Sequence, residues 1–227
     1  MHSAADGPGY FATFLDAHHV PWQVIRVGEG QPVPAQLNAY SGFAFMGGPM
    51  SVNDDLPWIV PELALIREAV RADIPLIGHC LGGQLMSKAL GGVVSRNPVK
   101  EIGWGRVDVV EAGEGRRWLG EVDSFNSFHW HGETFTIPHG ATRFAGSAAC
   151  ANQMFAMGKH LGMQCHIEMT PVLIAAWCAD SHTEVLALAG RTVSVQTSDE
   201  MLEKVDEKVV ALHAAADRIY SEWIKGL

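Results

Sequence analysis

The stretch IPLIGHCLGGQLMSKALGG, residues 74–92, holds a cysteine between two glycines where an apolar run gives way to a helical pattern. The run 74–77 is short and apolar, as expected of a buried strand, and apolar residues from Leu81 onward recur at helical spacing. Strand, Gly-x-Cys-x-Gly and helix together form the layout of a nucleophile elbow with Cys80 in place of serine. The start of a helix also favours a thiolate over a thiol. The alternative is a buried structural cysteine beside a tight turn, and the motif by itself does not separate the two.

Composition limits the class of protein. The chain has 227 residues, of which 48% are hydrophobic and 18% charged, enough for one sizeable α/β domain. The formal net charge of -9 argues against a nucleic-acid-binding surface, which would be basic. The longest wholly apolar run, 172–179, is too short to cross a bilayer, and the N-terminal residues MHSAADGPGY contain no signal-peptide core. We therefore expect a cytoplasmic protein.

The order of segments predicts the architecture. Strand-like and helix-like segments alternate in the first half, which favours a mostly parallel sheet covered on both faces. They are a helix over 10–18, strands over 22–27 and 42–46, a helix over 63–70, and the elbow strand. Short, turn-bounded runs between residues 104 and 157 indicate an antiparallel or mixed section. The tail, 197–226, reads as one long helix whose start carries a possible capping box, Thr197 with Glu200.

A cysteine nucleophile needs a base and a group that orients the base. If residues 163–168 form a strand, His166 and Glu168 project from the same face, so that the carboxylate can hold the imidazole. The alternative is a polar pair at a strand end. His129 and His131 could also share a face, but without a nearby carboxylate or cysteine pattern they make a poor metal site. The four cysteines include no close pair, which argues against zinc ribbons and redox pairs.

Chain order discriminates between families of triad enzymes. In α/β-hydrolases the order is nucleophile, acid, histidine, whereas here Cys80 is followed by His166 and then by Glu168. With the elbow and a glycine loop, this order resembles the class I (triad-type) glutamine amidotransferases over nearly the whole chain. The resemblance is closest to the glutaminase domain of GMP synthase and its freestanding relatives. It rests on four ordered blocks: FAFMGGPMSVNDD (43–55), LIGHCLGGQLMSKALGG (76–92), FHWHGETFTIPHGA (128–141) and NQMFAMGKHLGMQCHIE (152–168).

The resemblance implies a role for each matching residue. Cys80 would attack the side-chain amide of glutamine and form a γ-glutamyl thioester, His166 would relay protons, and Glu168 would orient it. The amides of Gly48 and Leu81 would form the oxyanion hole. Gln84 would bind the α-substituents of glutamine. Backbone around three neighbouring residues, Trp130, His131 and Gly132, would complete the pocket.

Three departures from the family pattern affect the expectations. Ile167 stands where proline is frequent, which the unchanged spacing should tolerate. Trp130 replaces a common serine and leaves the size of the substrate open, although the ring could equally belong to the core. The family opens with a strand, whereas here only two residues precede SAADGPGYF. We expect the chain to enter at a loop or short helix near residues 7–11, leaving strand 22–27 without its inner neighbour.

These observations predict a three-layer α/β sandwich with a mostly parallel central sheet, its first strand truncated, as a single domain over residues 1–227. The expected activity is glutamine amidohydrolysis without cofactor or metal, and the candidate ammonia acceptor is a separate synthetase subunit. A γ-glutamyl peptidase or hydrolase using the same triad is the alternative enzyme. A regulatory or scaffold protein that keeps the fold without turnover is the non-enzyme alternative.

Overall fold

The computed structural model describes all 227 residues, which form eight α-helices and one seven-stranded sheet. The helices are α1 (Gly9–Ala17), α2 (Ile59–Arg71), α3 (Leu81–Ala89), α4 (Ala112–Leu119), α5 (Pro171–Asp180), α6 (His182–Leu188), α7 (Ser198–Leu202) and α8 (Val205–Ile224). The strands are β1 (Phe43–Phe45), β2 (Leu76–His79), β3 (Val94–Val109), β4 (Ser124–Phe135), β5 (Thr142–Gly146), β6 (Met154–Met157) and β7 (His160–Met163). None of the helices is both long enough and apolar enough to cross a membrane.

The sheet has the strand order β1-β2-β7-β6-β5-β3-β4. β2 pairs in parallel with β1 and with β7, whereas β3, β4, β5 and β6 pair antiparallel with their neighbours. The α/β class is confirmed, but the sheet is mixed rather than mostly parallel. The reason is that the turn-bounded middle of the chain joins the same sheet as the parallel strands.

Alternating side chains of β2 place helices on both faces of the sheet. Leu76 packs into a core that includes Ile66 of α2 and Leu85 of α3. Ile77 points the other way, into a larger core that includes Phe11 of α1 and Ile219 of α8. Because successive strand residues face opposite sides, one short apolar strand supports both layers. The predicted three-layer arrangement is therefore confirmed.

The N-terminal region lacks the first strand, as expected. Residues 1–8 contain no strand, and α1 begins at Gly9. The predicted strand over 22–27 is wrong, because residues 21–26 run without regular structure and pair with no strand. β1 is consequently the edge strand, and an apolar groove of about 790 Å³ lies between it and residues 20–27. A strand needs a neighbour for its backbone hydrogen bonds, and residues 22–27 have none.

The C-terminal tail is two helices rather than the single predicted helix. α7 begins at the confirmed capping box, in which Thr197 accepts from the Glu200 amide and Glu200 accepts from the Thr197 amide. The chain then breaks at Lys204, whose φ of 51° is left-handed, before α8 begins. A left-handed residue cannot continue a right-handed helix, so the apolar stripe of the tail is divided between two segments.

Candidate active site

Cys80 occupies the sharp turn between β2 and α3. Its backbone has φ 50° and ψ -106°, a conformation that residues other than glycine rarely adopt. The turn is tightly packed, because a Cβ on Gly78 would lie 2.5 Å from the carbonyl carbon of Gly82, and one on Gly82 would lie 2.1 Å from the Phe45 oxygen. Only glycine fits at these two positions, and the strain at Cys80 is that of a nucleophile elbow.

His166 and Glu168 meet as a hydrogen-bonded pair. His166 Nδ1 donates to Glu168 Oε1 over 2.5 Å, and both side chains are buried. The predicted strand over 163–168 is wrong beyond Met163, where β7 ends. Instead, a single antiparallel bridge to Phe128 holds His166, whose amide donates to the Phe128 carbonyl over 2.8 Å. The two side chains meet in the bend after β7, without the strand that had been expected to align them.

Charges in this pair reinforce one another. Burial alone would lower the pKa of His166, but the negative charges of the Glu168 carboxylate and of the Cys80 sulfur as a thiolate raise that pKa well above its usual value. Burial would raise the pKa of Glu168, yet the His166 charge and hydrogen bond bring it down to about 2. The pair is thus an imidazolium and a carboxylate at neutral pH, with the imidazolium facing the sulfur.

Gln164 is a site residue that the sequence patterns did not indicate. Its Nε2 lies 3.5 Å from Cys80 Sγ and is placed to donate to it, while its Oε1 accepts from Gln84 Nε2 over 3.1 Å. Gln84 therefore holds the Gln164 amide in position beside Cys80, and it also lines the cavity. The spacing in the sequence could have indicated Gln164. It precedes His166 by two residues, just as His166 precedes Glu168, and all three side chains lie at one site.

The glycine loop lies against His166 and the elbow. A Cβ on Gly47 would approach His166 Cε1 to 3.1 Å, and one on Gly48 would approach Leu81 Cδ2 to 2.8 Å. The Gly48 amide donates no hydrogen bond within the chain. The Leu81 amide belongs to the first residue of α3, where helical geometry offers no intrahelical acceptor.

Seven of the nine predicted site residues line one cavity of about 830 Å³: Gly48, Cys80, Gln84, Trp130, His131, Gly132 and His166. Glu168 lies behind His166, and Leu81 follows the nucleophile in the chain. The Trp130 carbonyl is 4.0 Å from Cys80 Sγ. The His131 ring offers no free nitrogen to a substrate, because its nitrogens are bonded to Glu101 and to the Glu133 backbone.

Two further residues, distant in sequence, shape the wall. Trp177 packs its ring edge-on against His166, with ring centroids 4.9 Å apart, and also against Trp130, 6.0 Å away. Trp130 Nε1 donates to Glu184 Oε2 over 3.1 Å. The Trp130 ring is thus fixed between α5 and α6 at the rim of the cavity. Neither Trp177 nor Glu184 belongs to a sequence motif, so nothing in the chain itself pointed to them.

The family model for class I glutamine amidotransferases matches residues 16–174, which contain the elbow, the glycine loop and the histidine–glutamate pair. This chain belongs to the class I glutamine amidotransferase family. The amidotransferase resembles a crystal structure of a glutamine amidotransferase from Methylobacillus flagellatus, with 45% identity and a TM-score of 0.96. That match covers 99% of this chain and 92% of the other.

Several relatives of this amidotransferase have different names. Glutamine amidotransferase-like protein YfeJ of Salmonella typhimurium is 28% identical over 200 residues, covering 84% of this chain and 83% of its own. Gamma-glutamyl peptidase 3 of Arabidopsis thaliana is 28% identical over 162 residues, covering 67% and 65%. A glutamine-hydrolysing GMP synthase subunit of Saccharolobus solfataricus is 29% identical over 137 residues, covering 59% and 70%. The family is shared, whereas the named activities differ.

Proposed function

We propose that this amidotransferase hydrolyses the side-chain amide of glutamine through a γ-glutamyl thioester on Cys80. The observation that carries the proposal is the hydrogen-bonded pair of His166 and Glu168, which lines one cavity together with Cys80 on its strained elbow. A nucleophile, a base and an orienting acid in this order are the components of acyl transfer by cysteine.

The reaction proceeds in two balanced halves. The Cys80 thiolate attacks the amide carbon, a C–S bond forms, and the carbonyl oxygen becomes an oxyanion. His166 gives its proton to the amide nitrogen, the C–N bond breaks, and ammonia leaves. His166 then removes a proton from water, which attacks the thioester, so that glutamate departs and the thiolate is restored. Glu168 keeps the imidazole oriented throughout both halves.

The oxyanion is stabilised by the amides of Gly48 and Leu81. The free amide of Gly48 and the first-turn amide of Leu81 flank the nucleophile, and the positive end of α3 adds to their effect. A Cβ at residue 48 would come within 2.6 Å of Met50 Sδ, so a larger residue there would require the Met50 side chain to move. Gln84 and the backbone of Trp130 and Gly132 bind the remainder of the substrate.

A γ-glutamyl peptidase activity is the second candidate, and the size of the cavity favours it. A volume of about 830 Å³ lies in the range that accommodates drug-sized ligands and exceeds what glutamine needs. Its wall carries both signs of charge, acidic at Asp6 and Asp180 and basic at Arg96 and Lys100. Such a wall suits the ammonium and carboxylate groups of a second amino acid on the leaving side.

Specificity constants measured on the isolated protein test the proposal. Glutamine and a γ-glutamyl dipeptide are compared, with ammonia and free amino acid as the respective products. We expect glutamine to be preferred or equal. A preference for the dipeptide above about tenfold, roughly 1.4 kcal/mol of transition-state binding, would make the peptidase the correct assignment. No turnover of either substrate by the folded protein would favour the scaffold alternative.

A separate synthetase subunit is the proposed ammonia acceptor if glutamine is the substrate. The ammonia formed at Cys80 needs a second active site to use it, and none of the predicted site residues provides one. Adding the synthetase subunit from the same organism should raise the glutaminase rate, since ordering of the Gly47–Gly48 loop is a natural control point. An unchanged rate, together with no association between the two proteins, would remove this partner.

A further inference from the structure

A buried cluster of two histidines and a carboxylate lies beside the active site. Glu101 follows a bulge in β3, and it stands opposite His131 of β4 in the sheet register. His129, two residues earlier on β4, stands opposite Gly103. All three side chains are buried, with Glu101 at 5% exposure and His129 at 1%. From the sequence alone the two histidines lacked a nearby carboxylate, and the antiparallel pairing of β3 with β4 supplies one.

The donor atoms converge on one point. Glu101 Oε2 lies 2.9 Å from His131 Nε2 and 4.0 Å from His129 Nδ1, and all donor atoms of the cluster lie within 4.8 Å of one another. In a tetrahedral site with bonds of about 2.0–2.2 Å, ligand atoms are separated by about 3.3 Å. Side-chain movements of less than about 1 Å per residue would therefore bring these three atoms into coordination.

The other imidazole nitrogens are held by backbone carbonyls. His131 Nδ1 donates to the Glu133 carbonyl over 2.9 Å, and His129 Nε2 donates to the Gly105 carbonyl over 3.3 Å. These bonds leave one nitrogen of each ring directed at Glu101. Carbonyl–histidine pairs of this kind fix the tautomer and orientation of histidine ligands in metal sites.

His129 Nδ1 is the observation that points to a ligand. The atom is buried and has no hydrogen-bond partner, and with its proton on Nε2 it directs a lone pair toward the Glu101 carboxylate. An unpartnered buried acceptor facing an anion is unfavourable, and a cation between them would satisfy both. Glu101 is oriented for this role by Ser147 Oγ and Gln153 Nε2, each of which donates to it over 2.7 Å.

We propose that Glu101, His129 and His131 bind one divalent transition-metal ion, with Zn²⁺ as the best match to two imidazoles and one carboxylate. Binding replaces the proton that His131 Nε2 shares with Glu101, and this proton is released to solvent. His131 also lines the Cys80 cavity, which gives the ion a route of entry. The bound ion would join β3 to β4 on both sides of Trp130, whose carbonyl faces the nucleophile.

Zinc titration of the full chain tests the site. Cys80→Ser is the background, because the Cys80 thiolate and His166 could themselves hold zinc. Native mass spectrometry should show one ion per chain, and calorimetry should show binding weakened at least about 100-fold by His129→Phe or Glu101→Gln. His139→Ala, which removes an exposed histidine on the loop after β4, is the matched control and should bind as the background does. Equal affinity in all four proteins would overturn the assignment.

X-ray absorption of the zinc-loaded Cys80→Ser chain gives an answer that does not depend on the folding of any variant of the cluster. Two imidazole nitrogens with oxygen neighbours at about 2.0–2.2 Å are expected, without sulfur. A sulfur neighbour at about 2.3 Å would place the ion at a cysteine instead, and zinc lost on simple desalting would show that no built site exists.

Discussion

His166 and Glu168 are separated by a single residue and bonded over 2.5 Å, so the proposed general base and the group proposed to orient it lie in the same bend of the chain. The stabilisation this pair gives to the fold depends on pH in both directions. The pKa of Glu168 is depressed to about 2, and the pKa of His166 is raised well above its usual value. Each group therefore contributes stability over a different range of pH.

The Glu168→Gln variant measures this contribution. The carboxylate stabilises the fold fully above its unfolded pKa of about 4.5 and loses that effect as the pH falls toward 2. The imidazolium contributes fully below its unfolded pKa of about 6.5 and loses its effect as the pH rises through the folded value. The free energy of unfolding should thus differ between wild type and variant most between about pH 4.5 and 6.5, on the order of 2 kcal/mol.

Urea denaturation of both proteins at several pH values checks this expectation. A difference that stays constant from pH 3 to pH 9 would contradict it. Glu68→Gln is the control, because Glu68 is an exposed carboxylate on α2 that forms no ion pair and lies outside the proposed triad.

Removal of the nucleophile or the base should abolish turnover without unfolding the chain. Cys80→Ser and His166→Ala should each lower kcat by at least about 10³-fold, and the double variant should be no worse than either single one, because the residues act as a unit. Steady-state ammonia release measures the effect, with circular dichroism to establish folding. Additive losses in the double variant would show that the two residues act independently.

Cys80 should be the only thiol that a glutamine-like chloroketone labels quickly at neutral pH. Burial raises the pKa of Cys165 to about 12 and also raises the pKa of Cys150 and of Cys178, so these three remain protonated. Cys80 by contrast lines the cavity and faces an imidazolium. Peptide mapping by mass spectrometry identifies the site, and faster labelling of any other cysteine would remove the elbow assignment.

The elbow itself should cost stability. At φ 50°, a Cβ is strained by roughly 1–2 kcal/mol, and glycine removes the strain. Cys80→Gly should therefore unfold at a higher temperature than Cys80→Ala, although both are inactive. Asp73 also has a positive φ, of 56°, but lies on the surface. Its Gly and Ala variants form a matched pair with which the two Cys80 variants are compared. If the alanine variant at position 80 were the more stable one, the strain would not exist in solution.

Local patterns predicted the parts of the site that are local in the chain. The pattern of residues 74–92 predicts the elbow, and the spacing of His166 and Glu168 predicts that their side chains meet. Residues that assemble through the sheet escaped prediction: Glu101 meets His131 only because β3 pairs with β4, and Trp177 reaches His166 from α5. The strands predicted at 22–27 and 164–168 do not form. Alternation of apolar residues indicates which side chains are buried, but a β-strand also requires a neighbouring strand for its backbone hydrogen bonds.

The open edge of β1 has a consequence for the molecule in concentrated solution. One side of this three-residue strand is paired with β2, and the other borders the apolar groove. Unpaired backbone groups beside apolar surface form a template for strands of other chains. A strand paired at this edge would lie away from the Cys80 cavity, since that cavity and the β1 groove have no residue in common.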